Sequence, residues 1–244
     1  MKKWLAILLL VPTFAFAAGG TYPNDHADID LTDKASLQRG AQTFMNYCLG
    51  CHQMQYQRYQ RTFQDIGVPD DLGDKYLRFT GEKVSDYITS PMPAEDAATW
   101  FGAAPPDLTL VARVRGADWI YTYLRTFYVD ETKTFGVNNL AFPNAGMPHV
   151  LQGLQGTPRL ATEMKMIDGE MTEVSVGLRT DGDGQLTTDE YDQTILDLVN
   201  FLEYSGEPSR LQSESIGKGV LIFILIFFVF VYLLKKDYWK DVKK

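Results

Sequence analysis

The pentapeptide Cys48-Leu49-Gly50-Cys51-His52 constrains this chain more than any other stretch. It reads C-x-x-C-H, the spacing at which two thiols on one turn add across the two vinyl groups of a single porphyrin while the adjacent imidazole sits under the iron. Other uses of C-x-x-C need a different setting: a thioredoxin-like pair wants a βαβ unit, and a zinc site wants two further Cys or His ligands. The 244 residues hold only two cysteines and three histidines. A disulfide between Cys48 and Cys51 closes a small, strained loop and leaves His52 without a role. One covalent haem c is therefore expected, on Cys48 and Cys51, with His52 as proximal iron ligand. With both cysteines consumed, no disulfide framework holds the fold, and the porphyrin has to serve as a large part of the core.

The segments around the motif suit an exported, tethered domain. Met1-Lys2-Lys3, an apolar run from Trp4 to Phe14 and the small-x-small triplet Ala15-Phe16-Ala17 predict a signal peptide over 1–17. A polar arm follows to Leu31. From Thr32 onward, Leu37, Ala41, Phe44, Met45 and Cys48 recur at helical spacing, so the first cysteine is expected at the end of an amphipathic helix. Gly40 inside that helix either lets another helix approach closely or is an idle exposed glycine.

Beyond the motif, Arg58 and Arg61 either pair with haem propionates or line a solvated helix face. The stretch from Val68 to Gly73 reads as a loop, and Pro91-Met92-Pro93 as a helix break. Pro105-Pro106-Asp107 predicts a helix start, with Leu108, Val111, Ala112 and Arg115 on one face and Arg113 turned away. Arg115 is thus the candidate for a haem propionate. Gly116 ends that helix, and Asp118 is expected to cap a second one carrying Ile120, Leu124 and Phe127.

A haem that only carries electrons needs its sixth position filled, commonly by a methionine thioether that favours the ferrous state. Of eight methionines, Met1 leaves with the signal, Met45 sits in the first helix and Met54 is too near His52 to reach the opposite face. Met164, Met166 and Met171 flank Asp168-Gly169, a hairpin signal, and read as packing residues. Met92 and Met147 remain. Met147 is favoured because the prolines and glycine of Phe142-Pro143-Asn144-Ala145-Gly146-Met147-Pro148 can fix a side chain in place; His149 is its rival and His26 a distant third.

Asp181-Gly182-Asp183-Gly184 with Glu190 resembles part of an EF-hand loop, yet it sets Arg179 at the first ligand position and reads as an acidic turn. Thr187 and Glu190 form a capping box for a helix carrying Tyr191, Ile195, Leu198, Val199 and Leu202, stopped by Gly206 and Pro208. Sixteen uncharged residues from Gly219 to Leu234, with Lys218 snorkelling, predict a transmembrane anchor over 215–234. The tail 235–244 holds five Lys and two Asp and belongs in the cytoplasm by the positive-inside rule, which leaves the haem domain 18–214 in the periplasm. The formal charge of −8 becomes −13 once Lys2, Lys3 and the tail are set aside, which favours a basic soluble partner and argues against nucleic acid.

Together, Leu37-Gln38-Arg39-Gly40 leading into the haem motif, Ala104-Pro105-Pro106-Asp107-Leu108 running to Arg113-Val114-Arg115, Gly146-Met147-Pro148, and the capped helix with its anchor resemble the cytochrome c1 family, the haem subunits of the cytochrome bc1 complex. The resemblance implies a mainly α c-type cytochrome domain with a small β-hairpin insertion and one C-terminal transmembrane helix. It also implies electron transfer from the Rieske iron–sulfur protein to a soluble c-type cytochrome, with cytochrome b as membrane partner in a dimeric complex. By the same resemblance His52 and Met147 ligate iron, Arg115 holds a propionate and Pro106 packs on the haem, while Trp119 stands where many relatives have a tyrosine. The chain is then no enzyme by itself. A free-standing tethered carrier, or a haem enzyme or sensor with an open sixth site, is the alternative.

Overall fold

The computed structural model describes residues 22–167 and 170–241, so the expected signal peptide lies outside the described residues. Two helices form the frame. Helix α1, Lys34–Thr43, starts where the Asp33 carboxylate accepts the Ser36 amide. It continues through a π-helical turn, Phe44–Cys48, in which the Leu49 amide bonds to the Phe44 carbonyl at 3.0 Å. That wider turn buries Phe44, Met45 and Cys48 together.

The second frame helix lies far along the chain, after α2 (Tyr59–Ile66), α3 (Asp70–Tyr76), α4 (Ala94–Phe101), α5 (Val111–Arg115), α6 (Ala117–Arg125) and α7 (Gln152–Gln155). Helix α8, Thr188–Gly206, opens on the expected capping box: the Thr187 hydroxyl accepts the Glu190 amide while the Glu190 carboxylate accepts the Thr187 amide at 2.9 Å. Thr187→Ala is expected to cost about 1 kcal/mol and Thr187→Ser much less, measured by thermal unfolding of the haem-loaded chain.

Helices α1 and α8 cross at Gly40. A Cβ there would stand 2.0 Å from the Asp197 carbonyl oxygen, so the glycine is an obligatory contact rather than an idle one. Beside it the Arg39 guanidinium donates two hydrogen bonds, of 2.6 and 3.0 Å, to the buried Asp197 carboxylate. Phe44 packs on Phe201 with ring centroids 6.0 Å apart. The arm 22–31 runs without regular structure along α6, held by Asp25 N–H to Thr122 Oγ1 at 2.7 Å and Ala27 N–H to Asp118 at 2.8 Å.

Among the described residues, three two-stranded antiparallel ribbons decorate this frame: β1 (Met54–Arg58) with β2 (Tyr87–Ile88), β3 (Phe127–Val129) with β4 (Val137–Asn139), and β5 (Pro158–Ile167) with β6 (Glu170–Thr180). The last is the expected hairpin; Ile167 pairs with Glu170, and its two tip residues lie outside the described residues. Its methionines do not pack. Met164, Met166 and Met171 are 56, 71 and 58% exposed, because the ribbon stands off the helical frame and its alternation faces solvent on this side.

Other expectations also need correction. Residues 70–76 are helical, with Asp70 and Asp71 at the positive end, so the helix takes in residues 70–73 of the loop expected over 68–73. Helix α5 begins at Val111, since the Asp107 carboxylate accepts the Gln55 and Thr109 amides instead of opening a helix. Asp118 lies inside the first turn of α6 and accepts from the arm; Gly116, at φ 86°, forms the junction. The acidic turn is a tether: Asp183 accepts the Thr157 amide and hydroxyl at 2.7 and 2.6 Å, and Asp181 pairs with Arg159.

The final helix α9, Arg210–Tyr238, runs well beyond the sixteen uncharged residues and none of it is buried. It is long and apolar enough to cross a membrane, at about 1.5 Å of rise per residue.

Candidate haem site

The π-helical turn delivers the cysteines. His52 N–H and Cys51 N–H both bond to the Cys48 carbonyl, at 2.8 and 3.0 Å, so the five residues of the motif wind as one turn. Cys48 is buried, and burial followed by its neighbour Cys51 pushes its thiol up to about 12; Cys51 is half-buried. No disulfide joins the two cysteines.

His52 is held from across the fold. Its Nδ1 lies 2.8 Å from the Pro106 carbonyl oxygen, and because a carbonyl only accepts, Nδ1 carries the proton. That leaves the Nε2 lone pair to bind a metal. Burial lowers the His52 pKa, partly offset by the Pro106 bond and the nearby Asp107, so the imidazole is neutral and ligand-competent. The Leu108 amide bonds to the Gln53 carbonyl at 2.8 Å, and Asp107 holds Gln55. Residues 106–109 thus form a strut beneath the histidine.

The loop bearing Met147 follows β4, and two buried asparagines shape it. Asn139 Oδ1 accepts the Ala141 and Phe142 amides, both at 2.9 Å, while Asn138 Oδ1 accepts the Asn144 amide at 2.7 Å. Asn144 itself adopts φ 64°, a left-handed conformation that asparagine tolerates better than most residues. Asn139 also donates to the Tyr123 carbonyl at 2.7 Å, which fastens the loop to α6. Met147 is half-buried against the core, and the Tyr123 hydroxyl donates to its Sδ at 3.6 Å. Burial pushes the Tyr123 hydroxyl up to about 12, so it stays a donor.

Aromatic rings wall this side. Trp119 stacks on Tyr123 at 5.0 Å and 7°, and Phe127 and Phe142 meet Tyr123 edge-on. The exposed Arg115 guanidinium lies 4.9 Å from the centre of the Trp119 ring, whereas Arg113 is drawn off by Glu207 at 2.7 Å. Of the two arginines, only Arg115 borders the aromatic wall.

The other sixth-ligand candidates have the following surroundings. His149 is buried flat against Phe127, with centroids 4.9 Å apart, and burial depresses its pKa to about 4; its Nε2 has no partner. Met92 lies beside the cysteine turn, since its amide bonds to the Ser90 hydroxyl that donates to the Gly50 carbonyl. His26 is exposed on the arm near Asp118. Met54 accepts from the Ser205 hydroxyl within the core, and Met45 is buried in the π-helical turn.

The donor set suits a haem: two thiols on one turn, an imidazole pinned at Nδ1, and a thioether on a separate, braced loop. Tyr123, Asn138 and Asn139 were not singled out from sequence. Only the aromatic density of residues 119–128 hinted at the first, and nothing marked the asparagines.

Comparison with known proteins agrees with this geometry. A model of the Cytochrome C1 family matches residues 26–242. The chain is similar to a cytochrome c1 of Allochromatium vinosum, 49% identical over 99% of this chain and 100% of the relative. It is also similar to a Nitrosomonas europaea protein called ammonia monooxygenase gamma subunit, 42% identical over 99% and 98% of the two chains. A mitochondrial cytochrome c1 heme protein of Saccharomyces cerevisiae is 26% identical over 96% of this chain and 74% of its own length. With its cysteine turn, braced histidine and apolar C-terminal helix, the chain belongs to the cytochrome c1 family: it carries a covalently bound haem c and is a haem electron-transfer subunit of the cytochrome bc1 complex.

Proposed function

We propose that Cys48 and Cys51 would hold the haem c through thioethers, that His52 Nε2 and Met147 Sδ would ligate its iron, and that Arg115 would bind a propionate. The observation that carries this is the His52–Pro106 bond of 2.8 Å, which fixes the tautomer and presents Nε2 away from the strut. When bound, the haem supplies a one-electron ferric–ferrous couple. His52 and Met147 would keep the iron's ligation unchanged between the two states and exclude outside ligands, and this reading gives the chain itself no substrate bond to make or break. Pro106 acts through its carbonyl, and Tyr123, held between Trp119 and Phe142, brings its hydroxyl to the Met147 sulfur.

In this reading electrons come from the Rieske iron–sulfur protein and leave to a soluble c-type cytochrome, with cytochrome b alongside in a dimeric complex. Residues 1–17 act as an export signal, 18–214 form the haem domain on the periplasmic side, 215–234 cross the bacterial inner membrane, and 235–244 stay in the cytoplasm. The net charge of −13 on the exported part supports a basic acceptor.

The test is purification of the full chain from its own membrane, followed by reduction of a basic soluble c-type cytochrome. Co-purification with a b-type haem and a rate that falls about tenfold from low to physiological salt are expected. Co-purification with monooxygenase subunits, as the name of the Nitrosomonas relative suggests, or a rate indifferent to salt, would count against this assembly and this acceptor.

A further inference from the structure

The hydroxyl of Tyr123 donates to Met147 Sδ from 3.6 Å. A thioether sulfur has two lone pairs. If one binds iron, as proposed above for Met147, the other is left for a donor, and Tyr123 offers one. Its aim is fixed from three sides. Trp119 lies parallel to the ring at 5.0 Å, Phe127 meets its edge at 5.1 Å, and Asn139 clamps its backbone carbonyl at 2.7 Å.

We infer that Tyr123 is a positioning residue that sets the redox balance of this subunit by hydrogen bonding to the ligating sulfur of Met147. A donor on the sulfur withdraws electron density from it and weakens its donation to iron. The ferric state depends on that donation more than the ferrous state does, so the hydrogen bond favours reduction. The same contact restrains the thioether, because Sδ has to stay within reach of the hydroxyl.

The test uses the intact membrane-embedded chain in its complex and two variants, Tyr123→Phe and site-specific replacement of Tyr123 by a fluorotyrosine. Two quantities are read: the near-infrared charge-transfer band that reports ferric thioether ligation, and the midpoint potential from equilibrium redox titration. Tyr123→Phe is expected to keep the band and lower the reduction equilibrium constant roughly threefold, a single weak hydrogen bond's worth, or about 30 mV at 59 mV per tenfold. The fluorotyrosine, a stronger donor of nearly unchanged shape, is expected to move the potential upward. An unchanged potential in Tyr123→Phe, or shifts of the same sign in both variants, would show that the ring matters and the hydroxyl does not. Absence of the charge-transfer band in the unaltered protein would instead remove the Met147 ligation on which the inference rests.

Discussion

Met147→Ala is expected to turn a ferrous spectrum that ignores carbon monoxide into one that shifts at once on its addition. The half-buried thioether comes from a loop braced by Asn138, Asn139 and Asn144, so removing it leaves a gap in a fixed wall that neighbouring side chains cannot refill. The midpoint potential is expected to fall by something on the order of 0.1 V or more, because a neutral thioether is the ligand that favours ferrous iron. Steady-state electron transfer through the complex falls with it, since reduction by the upstream partner becomes unfavourable. Met92→Ala, beside the cysteine turn, should leave both spectrum and potential unchanged. A Met147→Ala protein that still excludes carbon monoxide would hand the sixth position to His149 or to another residue.

The largest effect on stability is expected at Gly40. An alanine Cβ there meets the Asp197 carbonyl oxygen at 2.0 Å and the Phe201 Cβ at 2.8 Å. Neither neighbour is the free end of a flexible side chain, so relief requires α1 to move off α8. That separation strains the Arg39–Asp197 bonds and loosens Phe44 from Phe201, leaving a nearly buried carboxylate short of its partner. Overpacking of this kind costs about 3 kcal/mol, with the lost ion pair adding to it. For a chain of this size the expected fall in Tm is about 10 °C. Thermal unfolding of the detergent-solubilised complex, followed by haem absorbance, measures it. Gly153→Ala, where an added Cβ meets nothing within 4 Å, is the control and should change little. Equal melting of the two variants would mean that the helix crossing is softer than its geometry implies.

What could be read in advance follows the physics of each signal. The cysteine turn, the capping box at Thr187, the β5–β6 hairpin and the apolar helix α9 each rest on chemistry confined to a few neighbouring residues, so the sequence carries them whole. The helices α2, α3 and α4, of seven or eight residues, span too few turns for a period to register, and the Asp-rich and Pro-flanked segments around them look like loops. Asp107 and Asp118 show the reverse error. Both stand where a carboxylate caps a helix, yet both are recruited by distant amides, of Gln55 and Ala27. The alternation that identified the hairpin also failed to say which face is covered, and its three methionines face solvent. Within the site, the haem motif named its own residues, but the Pro106 carbonyl and the Tyr123 hydroxyl are long-range gifts of the fold, 54 and 24 residues from the atoms they meet.

The crossing of α1 and α8 also fixes an order of events. The residue that locks α1 lies 158 positions downstream of Arg39, as the Arg39–Asp197 bonds show, and Phe201 packs on Phe44 at the start of the cysteine turn. A chain made from its N-terminus therefore presents Cys48 and Cys51 long before α8 exists to pack on α1. Contacts so distant in sequence form late and slowly, because the loop between them has to be ordered first. During that delay both thiols are open to whatever joins them to the porphyrin. The late, long-range packing on α1 thus gives the chemistry of the cysteine turn time to occur.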